Sequence, residues 1–158
     1  VPGKKVSYAA LEIIGGALIH NGKIFLQKRL ESGVWAGFWE FPGGKLEEGE
    51  SPEQGVTREF AEETEFMVRP VSCLGTVRHG YTRYRIRMHC FVCFLDGPGA
   101  RADKDGNPVP VLHAATEYRW VSLDDLYAED GYTMPAGHRK FLEAWRDELA
   151  LFVGKNAG

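Results

Sequence analysis

The sequence predicts a single α/β domain, on three observations. Its 158 residues match one domain and suffice to remove roughly 70% of the unfolded chain's surface from water without a metal or disulfide staple. Apolar, strand-like runs are interspersed with two segments of helical periodicity. Hydrophobic residues at 44% and charged residues at 26% are ordinary for a globular chain and exclude a disordered one. Lys plus Arg (19) against Asp plus Glu (22) gives a net charge of −3, which argues against a generally basic nucleic-acid binder but leaves room for a local basic patch. No apolar run approaches the roughly 18 residues that span a bilayer, and no signal-peptide pattern opens the chain, so no membrane partner is expected. The three cysteines are odd in number and lie in apolar stretches, which reads as a reduced, cytoplasmic protein.

The chain opens with Val1 rather than Met, as in a processed chain or a piece of a longer one. Val1-Pro2-Gly3-Lys4-Lys5 has no periodicity and reads as linker. A strand is predicted from Leu11 to Ile19. Asn21-Gly22 then supplies a two-residue hairpin turn, and Ile24 to Gln27 returns as the partner strand. Gly33 to Gly44 is loop-like and aromatic, with Trp35, Phe38, Trp39 and Phe41 ahead of Pro42-Gly43-Gly44. Ser51-Pro52-Glu53-Gln54 starts a helix: Ser caps, Pro suits the first position, and Gln54 can reach back to close a capping box. That helix is predicted to end near Thr64, with Val56 and Phe60 on its apolar face. Met67 to Val77 and Ile86 to Leu95 read as strands, and Gly97 to Pro110 as a surface loop. Tyr118 to Val121 is a short strand, and Ser122 opens a helical turn. A last helix from Ala136 to Phe152 carries Phe141, Leu142, Trp145 and Leu149 as core. There is no internal repeat.

Arg58-Glu59-Phe60-Ala61-Glu62-Glu63 is the most informative segment. Glu59, Glu62 and Glu63 lie at i, i+3 and i+4, so three carboxylates share one helix face and repel each other. A hard divalent cation with oxygen ligands relieves that repulsion; a solvated acidic face is the plainer alternative. Upstream, Gly43-Gly44 supplies a tight turn where backbone carbonyls can approach an ion.

Written out, Gly44-x5-Glu50-x7-Arg58-Glu59-Phe60-x-Glu62-Glu63-x-Glu65-Phe66 resembles the Nudix box, meeting six of its seven specified polar or glycine positions. The exception is Glu65, where the box has Gly. An altered helix end is expected there, because Gly most easily adopts the left-handed conformation that ends a helix. The resemblance implies a Nudix domain over 11–154, an α/β/α sandwich around a central mixed β-sheet, with residues 1–10 as an extension and 155–158 as a tail. It implies Mg²⁺-dependent hydrolysis of a nucleoside diphosphate linked to a further group, with Mn²⁺ as an alternative ion. By the same likeness Glu59, Glu62 and Glu63 would be metal ligands, with the Gly43 carbonyl an additional one; Glu117, ahead of the strand that holds Trp120, is an extra ligand candidate by position, with a surface charge as the alternative. Glu50 would assist, and Arg58 would hold the glutamates. The likeness leaves open which glutamate is the base.

Gly33 through Lys45, ending Trp39-Glu40-Phe41-Pro42-Gly43-Gly44-Lys45, resembles the MutT type of Nudix hydrolase. That type acts on oxidised guanine nucleoside triphosphates. Phe41 would then help to line a base pocket, with Gly44 and Lys45 also binding substrate. Met134-Pro135-Ala136-Gly137 is similar to a MutT segment in which Asn or Asp reads the purine edge, and here Gly137 stands at that position. Two segments resemble the C-terminal domain of MutY-type adenine DNA glycosylases: Val1 to Lys5, and Val77-Arg78-His79-Gly80-Tyr81-Thr82-Arg83-Tyr84. That likeness would place Tyr81 and Thr82 beside 8-oxoguanine in DNA, with Arg78, Arg83, Arg85 and Arg87 on phosphates. The alternating arginines also fit the solvent face of a half-buried strand. Cys90-x-x-Cys93 has metal-ligand spacing, but without a second pair it reads as core, and His138 reads as a helix-surface residue.

Overall fold

The computed structural model describes residues 9–33, 35–97 and 101–156; the expected linker at Val1 to Lys5 lies outside them. β1 (Ala10–His20) and β2 (Lys23–Arg29) form a hairpin across Asn21-Gly22. Both turn residues have positive φ, 49° and 75°, the backbone that a two-residue turn between right-twisted strands requires. The expected loop after Gly33 contains two short strands, β3 (Trp39–Glu40) and β4 (Gly43–Lys45), which pair antiparallel with β2 and β1. α1 (Pro52–Thr64) leads to β5 (Val68–Gly80) and β6 (Arg85–Leu95). β7 (Ala115–Val121), α2 (Leu123–Tyr127), α3 (Ala136–Ala144) and α4 (Arg146–Lys155) follow. β1 runs parallel to β6, whereas the other pairings are antiparallel, so the sheet is mixed, in the order β3-β2-β1-β6-β5 with β4 on β1 and β7 on β2.

Strand alternation sorts the apolar side chains into two cores. Ile14, Leu18, Phe25, Phe91 and Cys93 face α1, meeting Val56 and Phe60. Ala17, Ile19, Leu26, Met88 and Val92 face α3 and α4, meeting Phe141, Leu142 and Leu149. Helices therefore cover both faces, giving the three-layer α/β/α arrangement. Cys90 and Cys93 are buried core thiols, and burial pushes the Cys93 thiol up to about 12. Cys73, in contrast, is exposed. No helix among the described residues is long and apolar enough to cross a membrane.

The last helix is broken where a continuous one was expected. Trp145 leaves helical geometry (φ −128°, ψ 37°) between α3 and α4. Its indole packs edge-on against Phe141 and over Gly75, where a Cβ would come within 2.8 Å of the ring. Tertiary packing thus overrides the local periodicity, and neither Pro nor Gly marks the break.

The start of α1 is as expected: the Ser51 side chain accepts from the Gln54 N–H, and the Gln54 side chain accepts from the Ser51 N–H. Its end is not altered. Glu65 itself takes the left-handed conformation (φ 58°, ψ 16°), and its N–H donates to the Ala61 carbonyl. A Cβ there costs roughly 1–2 kcal/mol, and the half-exposed contact to His113 at 2.6 Å returns little. Glu65→Gly should therefore raise the unfolding free energy by about 0.5–1 kcal/mol in a urea titration. A loss of stability would mean that the His113 contact holds the helix end.

Candidate active site

Docking α1 on the sheet carries Glu63 into the interior, where it is 8% exposed. One carboxylate oxygen accepts from the Gly43 N–H at 3.0 Å, the other from Gln27 Nε2 at 2.9 Å. Gln27 is fully buried, and its Nε2 also reaches Glu40 Oε2 at 3.3 Å. Arg29 holds the other oxygen of Glu40 at 2.8 Å. Burial raises the Glu63 pKa well above the carboxylate range, and the neighbouring Glu59 and Glu40 push it the same way. Burial raises Glu40 too, against the pull of Arg29. Glu40 and Glu59 thus crowd the buried Glu63 carboxyl, and Gln27 Oε1 beside them has no partner among the described residues.

Arg58 organises the outer side of the cluster. Its guanidinium grips Glu50 through Nε at 2.6 Å and Nη2 at 2.9 Å, a bidentate pair. Nη1 reaches Glu59 and Glu62 at 3.0 Å each, and Nη2 reaches the Lys45 carbonyl at 3.1 Å. All five donors of the fork are engaged. Arg58 holds the Glu50 carboxyl below its usual range, and Glu50 in turn raises the Arg58 pKa.

The two glycines ahead of α1 answer to two different neighbours. A Cβ on Gly43 would lie 2.0 Å from the Ile14 carbonyl oxygen, so β4 can pair with β1 only without one. A Cβ on Gly44 would lie 2.7 Å from Glu59 Oε1, so that glycine makes room for a carboxylate.

A cavity of about 480 Å³ opens next to this group. Arg29, Glu40 and Lys45 form its charged part, and Trp35, Tyr81, Tyr84 and Ile86 its apolar part. Trp35 and Tyr81 pack at 5.2 Å and Tyr81 and Tyr84 at 5.0 Å, leaving an aromatic wall. A second cavity of about 510 Å³, near Arg69 and Lys155, has no acidic lining residue.

The structure brings Glu50, Arg58, Glu59, Glu62, Glu63, Gly43, Gly44 and Lys45 together. It does not bring Glu117 to them: that residue pairs with Lys28 at 3.4 Å and Arg119 at 3.0 Å. It sits opposite Lys28 in the sheet, and Lys28 alternates with Gln27, so Glu117 lies on the other face. Phe41 does not line the cavity. It is buried, its ring tilted against Phe141 at 4.9 Å. Tyr81 lines the wall, but Thr82 is exposed outside it. Arg87 is tied to Glu12 at 3.0 Å. His138 is not a surface residue: it lines the cavity, and burial lowers its pKa to about 4. Sequence reasoning passed over Gln27 and Glu40, whose signal was a polar residue inside an apolar stretch.

Hard carboxylate oxygens crowded at like charge suit a divalent cation of the Mg²⁺ kind. Among the described residues no three such groups already converge as a metal cage, because Arg58 draws Glu59 and Glu62 to itself. The donor set fits the ion; Arg58 must yield some of its contacts to admit it.

Gly43→Ala should destabilise the fold by about 3 kcal/mol or more, because backbone must move. Gly44→Ala should unfold close to the original protein yet lose roughly tenfold or more in turnover, because Glu59 is displaced. Thermal melts and initial rates on the pair check both, and equal stability losses would contradict the assignment.

The NUDIX domain family model matches residues 15–144. The chain is 40% identical over 84 residues to an 8-oxo-dGTP diphosphatase of Proteus vulgaris, covering 52% of this chain and 74% of that one. To the 8-oxo-dGTP diphosphatase of Escherichia coli it is 32% identical over 110 residues, covering 70% and 78%. The crystal structure of a MutT protein from Methanosarcina mazei superposes with a TM-score of 0.68 at 30% identity, covering 91% of this chain and 98% of that one. The likeness of residues 77–84 to a DNA glycosylase is not borne out by these relatives. With the glutamate helix, the glycine pair and the mixed sheet in place, the chain belongs to the NUDIX domain family.

Proposed function

We propose that the protein is a divalent-cation-dependent nucleotide pyrophosphohydrolase of MutT type, acting on nucleoside triphosphates, with oxidised guanine nucleotides as the first candidates. The observation that carries this reading is the buried carboxylate group of Glu63, Glu59 and Glu40 at the mouth of an aromatic-walled cavity. Glu59, Glu62, Glu63 and the Gly43 carbonyl would hold Mg²⁺, for which Mn²⁺ can substitute. When bound, the ion neutralises phosphate charge and lowers the pKa of a water.

The chain's own residues account for the rest. Lys45, exposed at the cavity, offers an ammonium to the phosphate chain. Arg58 holds Glu59 and Glu62 in position through Nη1, and its bidentate hold on Glu50 keeps that carboxylate ionised beside them. A carboxylate left free of the ion takes the proton of the attacking water as a phosphorus–oxygen bond of the pyrophosphate breaks. Trp35, Tyr81 and Tyr84 give a base an aromatic face, a contact worth roughly 1–3 kcal/mol per base.

A panel of nucleoside triphosphates, including 8-oxo-dGTP, assayed with Mg²⁺ for pyrophosphate and phosphate release tests the reading. Glu62→Gln and Glu63→Gln should each cost about 100-fold or more in turnover, because several kcal/mol of charge stabilisation is lost. Their circular dichroism should match the original protein. Normal hydrolysis by both variants would remove the metal-site assignment.

A further inference from the structure

We propose that His138 reads the base, its Nε2–H donating to a carbonyl oxygen on the base edge and so selecting 6-oxopurine over 6-aminopurine nucleotides. The inference rests on the pyrophosphohydrolase reading above and names the residue that sets its specificity.

Four observations converge on this side chain. First, the Phe41 N–H points at His138 Nδ1 at 3.3 Å. A backbone N–H can only donate, so Nδ1 must be the unprotonated nitrogen and the ring hydrogen sits on Nε2. Second, Nε2 has no protein partner among the described residues, and the residue lines the cavity. Third, the ring is held in place. It leans on Phe41 at 5.8 Å, and the preceding Gly137 N–H donates to the Tyr81 hydroxyl at 3.0 Å, which ties the start of α3 to the aromatic wall. Fourth, Gly137 beside it on the same wall carries no side chain, and one there would first have to displace the ends of Ile86 and Met88. A Cβ there would lie 2.7 Å from Ile86 Cδ1 and 3.4 Å from Met88 Cε.

Burial and the nearby Arg29 keep the imidazole neutral, so it presents one fixed donor rather than two. A fixed donor facing a carbonyl oxygen makes a hydrogen bond. Facing an exocyclic amino group, it leaves two donors opposed and both unpaired. Discrimination of this kind is large, because the wrong base strands a buried polar group.

Steady-state kinetics with dITP and dATP, which present oxygen and an amino group at the same ring position, isolate the contact. The original protein should favour dITP in kcat/KM by at least tenfold. His138→Phe keeps a ring and removes the donor, and it should lower that ratio by at least tenfold, through the KM of dITP more than through kcat. His138→Gln, which carries an amide N–H at similar reach, should restore part of the ratio, and it serves as the test should the Phe variant fold poorly. A dITP/dATP ratio that neither variant moves, or a protein without preference between the two, overturns the base-reading role and leaves the hydrolase standing. No turnover of any nucleotide overturns both.

Discussion

The constraint on which the rest depends is the burial of the Glu63 carboxylate beside two others. A lone ionised carboxylate in an apolar interior costs several kcal/mol, and here Glu59 and Glu40 add repulsion. The fold tolerates it because the Gly43 N–H and the Gln27 amide occupy its two oxygens, and because apolar burial of Val56 and Phe60 anchors the helix that carries it. The capping box fixes the helix start and the left-handed Glu65 its end, so α1 has little freedom to withdraw the charge. Arg58 balances the outer side, using every donor it has. Such a cluster costs stability, which fits its proposed role as a cation site.

One short segment joins the charged group to the base cavity. From Trp39 to Lys45 the chain pairs first with β2 and then with β1. Along it Glu40 enters the carboxylate network, the Phe41 N–H sets the His138 ring, the Gly43 N–H holds Glu63, and Gly44 admits Glu59. On the proposed function, the phosphate end and the base end of a nucleotide would be positioned by the same backbone. A distortion there would disturb binding and chemistry together.

What the sequence disclosed was local. The Asn21-Gly22 turn, the Ser51 capping box and the i, i+3, i+4 glutamates each need only neighbours a few residues away, and each was legible. Gln27 and Glu40 were not, because their partners sit 36 and 13 residues distant along the chain and only strand pairing brings them together. The break at Trp145 was hidden for the same reason, since its cause is packing on Gly75. Glu117 does not join the glutamates of α1, because the alternation of β2 and β7 turns it to the other face of the sheet. His138 looked superficial because helical position alone does not show that a cavity lies against that face.

If the crowded carboxylates bind a divalent cation once Arg58 yields some of its contacts, as proposed, the most direct measurement is the thermal unfolding midpoint as a function of Mg²⁺ in the absence of substrate. A ligand that binds only the folded state stabilises it by about 2.7 kcal/mol at a hundred times its dissociation constant, a shift of several degrees for a chain of this size. The account predicts a saturable rise with millimolar Mg²⁺ that sodium chloride of equal ionic strength does not reproduce. No shift, or an equal shift with sodium chloride, would contradict it.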